Sequence, residues 1–413
     1  MNFVQAFRTV VCLACATLAT SASAQLFRCV EQPVGSGNFV NPVTGQECVT
    51  TIQTAVPFLT ITPDARSGAM GDVGVALSPT AASTFHNASA LALSDKKFEI
   101  QAVFTPWLQA LNLEDVYLAN LSGYGKLDDR QALYGSLRYF SLGEIDFTDI
   151  DGFPISTGKP YEMAVTAGYA RKLSDKISAS LSGRFILSSL ATGLTDPTNP
   201  SQEIGNGLSG AADLGFSYVD DVAIASGATL RIGANVRNIG AKITYTDARE
   251  RDYIPTNLAL GSSLETFFDD YNSLTIAVDF NKLLVPSPQS EFVDQDGNQR
   301  PDYLDKSPIE GLFSSFGDAQ GGFSEELAEI NISTGVEYWY ADQFAARLGY
   351  FHEADTKGGR QYLTVGVGVK YSVLGLDFSY LVPTSATRNP LDNTLRVGLN
   401  YSFVPDTPDG VDL

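Results

Sequence analysis

Apolar and polar residues alternate along most of this chain from about residue 97 onward. Successive side chains of a β-strand point to opposite faces of the sheet, so a period of two predicts strands. In one segment, Leu181 and Phe185 fall on one face and Ser182 and Arg184 on the other, with Ile186 as the one exception. The pattern predicts 14 strands, at about 97–105, 115–124, 132–141, 160–171, 176–188, 208–218, 228–240, 256–266, 272–281, 329–340, 342–352, 362–373, 375–385 and 394–403.

The links between these predicted strands differ in length. Short and long links alternate along the chain. Several are tight, such as 173–175, Ala341 and Leu374, and the links that alternate with them are longer, with 282–328 the longest. Bacterial outer-membrane barrels have short periplasmic turns, long outer loops and an even number of strands. Tilted strands of about ten residues also span the hydrocarbon core of a bilayer. A secreted β-sandwich shows the same alternation, but the link lengths favour an all-β, 14-stranded antiparallel transmembrane barrel over residues 97–403.

The N-terminus has the features of a secretory signal peptide. The basic Arg8 precedes an apolar stretch, 9–18, and Ala22-Ser23-Ala24 forms a small-residue cleavage site. We therefore expect residues 1–24 to be removed. A lipoprotein anchored through Cys15 is the alternative.

After that cleavage, Cys29 and Cys48 are the remaining thiols, in a compartment that oxidises thiols. We predict a disulfide between them. Residues 25–56 form an N-terminal extension rich in glycine and proline, which could not be held together by burial alone. A crosslink closing a loop of about twenty residues stabilises a chain by about 3 kcal/mol.

Residues 57–96 are dense in small residues and do not follow the strand pattern. Small residues permit close approach of backbones in a confined space, and 84–91 is expected to form a short turn or helix. We predict that this segment, called the hatch below, plugs the lumen; an ordinary periplasmic lead-in is the alternative. Its candidate functional residues are Phe58, Pro63, Asp64, Arg66, Gly68, Met70, Gly71, Asp72 and Asn87.

The longest link carries apolar residues at helical spacing in its second half. This spacing predicts an amphipathic turn that either folds over the pore or presents an apolar patch to a partner. Both interpretations stay open at this point. The residues concerned are Ile309, Leu312, Phe313 and Phe316, with Phe323 and Leu327 following.

The first half of the same link matches part of a calcium-loop pattern, in which oxygen ligands at fixed intervals surround one hard cation. A glycine normally occurs where Gln299 stands, so an acidic, solvated loop is the alternative. No other cofactor is predicted. The candidate ligands, at positions 1, 3, 5, 9 and 12 of the pattern, are Asp294, Asp296, Asn298, Asp302 and Asp305.

Charge and composition exclude several classes of function. With 27 Lys and Arg against 47 Asp and Glu, the formal net charge is −20, which argues against nucleic acid as a partner. Neither of the two histidines, His86 and His352, has a nucleophile and an acid at informative spacing. We therefore expect no enzymatic activity.

Several separate stretches resemble the PorV family, also called LptO. This family supplies the barrel component of the type IX secretion system and lies within the wider group of fatty-acid-transporter-like outer-membrane barrels. One departure concerns the Asn-Pro-Ala of that wider group, which is Asn87-Ala88-Ser89 here, so a proline does not shape the lumen gate. The stretches are 58–72, Thr105-Pro106-Trp107-Leu108, 136–143, 171–176, Asn238-Ile239-Gly240, 254–258, 279–286, 321–327 and Asn389-Pro390-Leu391-Asp392.

The resemblance implies a 14-stranded barrel in the outer membrane, in contact with its lipid, with a periplasmic tail at 404–413. It implies a shuttle that binds the folded C-terminal signal domains of secreted cargo, collects them from the type IX translocon and delivers them to the sortase attachment complex. Two rival functions remain: a transporter of hydrophobic small molecules, and a lipid A deacylase. The residues themselves single out no catalytic triad for the latter.

Overall fold

The structure is a computed structural model of the 413-residue chain. It describes residues 51–403, apart from 108–112, 114, 149–152, 196–201, 224–226, 247–250, 289–294, 296, 298–299, 320–321 and 385–392, and the short strands Val30–Glu31 and Phe39–Val40. Cys29 and Cys48 lie outside the described residues, so the disulfide between them stays a prediction.

Fourteen antiparallel strands close into a single barrel, as the alternation predicted. Each strand pairs with its neighbour along the chain, and the last strand pairs with the first, so Val397 lies opposite Phe104. Two short strand pairs stand apart from the barrel: β1 (Val30–Glu31) with β2 (Phe39–Val40), and β6 (Ile145–Thr148) with β7 (Pro154–Gly158). The barrel strands are β3 (Phe98–Pro106), β4 (Val116–Asp128), β5 (Gln131–Leu142), β8 (Tyr161–Lys172), β9 (Ile177–Ser189), β10 (Gly207–Val222), β11 (Ala228–Gly240), β12 (Asn257–Phe267), β13 (Asn272–Leu283), β14 (Ile330–Tyr340), β15 (Phe344–His352), β16 (Gln361–Tyr371), β17 (Leu374–Pro383) and β18 (Leu395–Phe403).

Short turns gather at one end of the barrel and long loops at the other. Two-residue turns join β4 to β5 and β16 to β17 at the short-turn end, whereas 284–329 joins β13 to β14 at the other. The predicted strand at 342–352 begins two residues before the observed β15, which starts at Phe344. Ala341 and Asp342 both have positive φ there, at 52° and 53°, so they form the turn and not the strand. We call the long-loop end the outer end.

The two faces of the wall differ as the period of two requires. Large apolar side chains such as Leu181 and Phe185 are exposed on the outside, while Ser182 and Arg184 point into the lumen and are buried. Tyrosines on neighbouring strands stack along the outer end, with 5.6 Å between the ring centroids of Tyr139 and Tyr161. Aromatic girdles of this kind mark the membrane interface of barrels.

Helical structure is confined to the hatch and the outer loops. None of the helices in the described part of the chain has the length and apolar composition to cross a membrane. The helices are α1 (Ala65–Gly68), α2 (Ser83–His86), α3 (Pro308–Ser314) and α4 (Phe323–Ala328), and the 3-10 turns are Pro57–Thr60, Ala88–Leu93, Asp302–Leu304 and Asp355–Lys357.

An apolar cluster fills the outer part of the lumen. It joins Phe58 and Leu59 of the hatch to Phe140 and Ile186 of the wall and to Ile243 of the loop after β11. Ile186, which interrupts the alternation of β9, is fully buried in this cluster. The apolar cluster around the hatch therefore explains why Ile186 is apolar although it faces the lumen.

Candidate functional site

The hatch occupies the lumen and is internally fixed by a buried contact between a carboxylate and an imidazole. The Asp64 carboxylate accepts a hydrogen bond from the Ser67 N–H at 2.7 Å, which caps α1, and its other oxygen lies 2.9 Å from His86 Nε2. Burial alone would raise the pKa of Asp64, but the hydrogen bonds from His86 and Ser67 outweigh it and hold the pKa below its ordinary value. The two helices of the hatch are thereby joined.

Lumen-facing side chains of the wall bind the backbone of the hatch. Asp279 of β13 accepts hydrogen bonds from the Gly74 N–H at 2.6 Å and the Val75 N–H at 2.9 Å. The Asn87 amide donates to the Phe216 carbonyl of β10 at 2.9 Å. Asn87 thus fixes the end of α2, although the proline of the wider barrel group is absent here.

A chain of charged groups links the hatch to three strands. Arg66 donates two hydrogen bonds to Glu337 of β14, at 2.9 and 2.6 Å. Arg347 of β15 donates to the same carboxylate at 2.6 Å and to Asp377 of β17 at 2.6 Å. Asp377 in turn accepts from Asn400 of β18 at 2.5 Å. Arg66 therefore holds the hatch to the wall through a carboxylate that a wall arginine shares.

Glycines of the wall let the hatch backbone approach closely. A Cβ added at Gly349 would lie 1.9 Å from Gly71 N and 2.0 Å from Met70 C. One added at Gly335 would lie 2.5 Å from the Met70 carbonyl oxygen. Gly71 itself has a φ of +68°, a conformation that favours glycine. The small residues from which the hatch was predicted therefore lie against glycines of the strands.

A cavity of about 800 Å³ lies between the hatch and the outer loops. Asp72, Val75 and Phe85 of the hatch lie at its base. Phe58 and Trp107 contribute apolar surface to its wall. A second cavity, of about 550 Å³, lies on the other side of the hatch, towards the short-turn end. The hatch thus lies between two separate cavities.

The apolar residues predicted in the longest loop lie on two short helices at the outer end, apart from Phe316, which follows the end of α3. Ser307 caps α3 by accepting from the Glu310 N–H at 3.2 Å, and Gly311 faces Pro286 and Tyr253 so closely that an added Cβ would lie 3.0 Å from each. Leu312 is half-buried. The other five, which are exposed, are Ile309, Phe313, Phe316, Phe323 and Leu327.

Helix α4 buries its charges and exposes its apolar residues. Lys357 donates to Glu325 at 2.6 Å, and Lys282 donates to Glu326 at 2.9 Å, beneath the helix. On the opposite side, Phe323 is 79% exposed and Leu327, four residues on, is also exposed. This is the reverse of an ordinary surface helix, in which the charged face meets water.

Glu329, at the end of α4, completes the attachment of the loop. Its carboxylate accepts from Lys282 at 2.5 Å, from Ser287 at 2.5 Å and from Lys357 at 2.9 Å. Burial tends to raise the pKa of Glu329, but these three donors together hold it below its ordinary value. The glutamate is therefore charged at neutral pH, and the loop is anchored to β13 and to the loop before β16.

The predicted calcium ligands are only partly covered by the structure. Asp294, Asp296 and Asn298 lie outside the described residues. Asp302 accepts a hydrogen bond from the Gln295 N–H at 2.9 Å, and the Asp305 N–H donates to the Asp302 carbonyl oxygen at 3.1 Å, which closes the 3-10 turn Asp302–Leu304. Among the described residues, no group of three or more His, Cys, Asp or Glu side chains could hold a metal ion. Calcium binding stays a prediction.

The remaining predicted hatch residues all lie in the lumen. Phe58 and Met70 are fully buried, and Gly68 packs against Arg396 of β18, with an added Cβ only 2.7 Å from Arg396 Nη1. Pro63 is buried directly before the Asp64 cap. Sequence reasoning did not single out three lumen arginines that surround the base of the outer cavity: Arg138, Arg237 and Arg396. The sequence pattern does indicate that these arginines face the lumen, since each occupies a polar-face position of a predicted strand.

Comparison with solved structures places the fold among outer-membrane channels. The Ralstonia pickettii toluene transporter TbuX matches with a TM-score of 0.50 and 14% identity, over 82% of this chain and 97% of that one. The Pseudomonas putida toluene transporter TodX matches with a TM-score of 0.46 and 10% identity, over 86% and 98% of the two chains. At such identities the likeness concerns the fold alone. A comparison with curated proteins found no match.

A family model described as the type IX secretion system protein PorV matches residues 44–290. The match covers more than half of the 413 residues and includes the extension end, the hatch and the first nine strands of the barrel. The wall, with its lipid-facing apolar side chains and aromatic girdle, is that of an outer-membrane protein. The chain therefore belongs to the PorV family and is an outer-membrane β-barrel component of the type IX secretion system.

Proposed function

We propose that this barrel is a cargo shuttle: it binds the C-terminal signal domains of secreted proteins at its outer end, collects them from the type IX translocon and passes them to the sortase attachment complex. Family membership supports the secretion role. The observation that carries the choice of surface is helix α4 of the outer loop, which exposes Phe323 and Leu327 while its charges are buried. Contiguous apolar surface outside the bilayer is typical of a binding site for another protein.

The same geometry favours partner binding over lumen capping for this loop. Phe313 is 70% exposed and does not point into the cavity, whereas the side of α3 at Gly311 packs against Tyr253 and Pro286. A helix that closed the pore would turn its apolar residues inward. Loops on a rigid barrel are also where binding residues are commonly carried.

Deletion of the gene tests the shuttle against its rivals. We expect secreted cargo to accumulate with its C-terminal signal domain still attached, because no carrier would deliver it to the sortase complex. Immunoblots of cell and medium fractions measure this. Normal cargo processing together with altered uptake of hydrophobic compounds would favour a small-molecule transporter, and altered lipid A acylation would favour a deacylase.

Replacing Phe313 and Phe323 by serine tests the outer loop. We expect the double variant to fold normally, since both side chains are exposed, but to lose most of its copurification with translocon or cargo signal domains. Truncation of a central interface aromatic costs about 2 kcal/mol or more. Ile155→Ser, at a 62% exposed apolar residue of the β7 hairpin, is the matched control. If both variants copurify like the native protein, the loop is not the docking surface.

A further inference from the structure

Three buried arginines surround the base of the outer cavity. Arg138, Arg237 and Arg396 are 4%, 8% and 1% exposed. The Nε atom of each has no hydrogen-bond partner among the described residues, and neither has Arg396 Nη1. Arg237 and Arg396 line the cavity directly, while Arg138 lies behind Phe58, whose carbonyl oxygen it binds at 3.0 Å. Unpaired buried cations are costly, so such a group calls for an anion.

The protein itself does not neutralise this group fully. Arg138 and Arg237 stand on either side of the Phe85 ring, 4.8 and 4.4 Å from its centroid, and no described carboxylate pairs with either. The Arg396 guanidinium reaches Asp72 only at 3.8 Å. Asp279, the second carboxylate near the base, already holds hatch N–H groups through one oxygen. Asp213, which also acts on Arg237, is paired with Arg184 at 2.7 Å, so four arginines face three aspartates.

The cations higher in the cavity are all paired with carboxylates, which outnumber them there. Arg360 pairs with Glu353 at 2.7 Å, and Lys357 pairs with Glu325 and Glu329 at 2.6 and 2.9 Å. The excess of positive charge is therefore confined to the base, next to the hatch. An anionic group would have to reach this depth to be stabilised.

The shape of the cavity restricts what can reach the base. The hatch closes the lower end, so a chain cannot pass through, and an extended chain entering from outside reaches the base with one of its ends. The wall offers hydrogen-bonding side chains such as Gln53, Asn281 and Asn331 alongside the apolar Trp107. This mixture suits a peptide backbone with apolar side chains better than a plain alkyl chain.

We propose that the base of the outer cavity binds the terminal carboxylate of a peptide chain, with Arg396 and Arg237 as its ligands. This proposal rests on the proposed shuttle function, and it assigns the cavity to the last residues of a cargo signal domain. Arginine suits carboxylate recognition because its planar donors match the two oxygens. The folded remainder of the domain would stay outside, against the outer loop.

The test uses the purified full-length protein in detergent and a fluorescent peptide with the last ten residues of a secreted cargo protein, made as the free acid and as the C-terminal amide. Fluorescence anisotropy measures both affinities. We expect the acid to bind about tenfold more tightly than the amide, as hydrogen bonds to a charged group predict. Arg396→Gln should bring the two affinities together, and Arg396→Lys should retain part of the preference.

Controls keep the result interpretable. Arg130→Gln changes an exposed arginine at a periplasmic turn and should leave the preference intact, and heat-modifiable migration on gels confirms that each variant forms a barrel. Equal affinity of acid and amide for the native protein would overturn the proposal. So would dodecanoate binding that depends on Arg396 without any peptide binding, because the base would then serve a lipid carboxylate.

A parallel measurement separates this proposal from the shuttle itself. The whole signal domain is tested for binding in its native form and with an amidated C-terminus. If both forms bind equally, the shuttle stands and the carboxylate site is wrong. If neither form binds, both proposals are wrong.

Discussion

Glu337→Gln is expected to destabilise the protein strongly, because the hatch and the wall share this carboxylate. The substitution keeps the shape of the side chain but removes the negative charge that Arg66 and Arg347 share. Two arginines with side chains 9% and 1% exposed would then lack their common carboxylate. Breaking a buried ion pair by removing one partner costs about 3–5 kcal/mol. We expect a loss of that size in the free energy of unfolding.

Urea unfolding in detergent, followed by tryptophan fluorescence, measures this loss. Trp339 lies close to the network, with the Arg347 guanidinium 5.5 Å from its ring centroid. Asp220→Asn is the matched control, because it breaks an ion pair with Lys176 that is largely exposed. Such exposed pairs contribute little to the free energy of unfolding. If the two variants unfolded alike, the buried network would not hold the hatch in place.

Gly349→Ala is expected to displace the hatch without preventing barrel formation. The added methyl group would meet the hatch backbone at 1.9–2.0 Å, a distance that no contact of this kind tolerates. Strand pairing on either side of Gly349 involves the backbone alone and does not depend on the side chain. The strain must therefore be relieved by movement of Gly71 and Met70.

Two measurements check the displacement: conductance in planar lipid bilayers, and trypsin cleavage after the buried Arg66. Both should increase in Gly349→Ala. Gly183→Ala serves as the control, since an added Cβ there has no atom within 4 Å. A closed, protease-resistant Gly349→Ala variant would show that the hatch is held more loosely than its contacts indicate.

The barrel could be predicted because lipid imposes a simple rule on each strand. A residue such as Leu181 must be apolar when it faces the bilayer, whatever its neighbours are, so a local pattern sufficed to find the wall. The predicted strand at 228–240 agrees with the observed β11 in both bounds. The hatch was predicted from its density of small residues, which is also a local property of the sequence.

The cavity and its arginines could not be predicted in this way. The pattern shows that Arg184, Arg347 and Arg396 face the lumen, but not which carboxylates they meet. Arg347 and Arg184 have acidic partners at 2.6 and 2.7 Å, whereas Arg396 has one only at 3.8 Å. That difference arises from residues far apart in the chain, and only the assembled structure distinguishes a structural arginine from a candidate ligand.

The contacts of Arg66 also constrain how the molecule assembles. Arg66 and Glu337 are 271 positions apart in the sequence. The charge of Arg66 in the hatch is therefore paired only after β14, late in the chain, has been made. The wall contacts of the hatch are therefore complete only when β14 has joined the barrel, which couples docking of the hatch to completion of the wall.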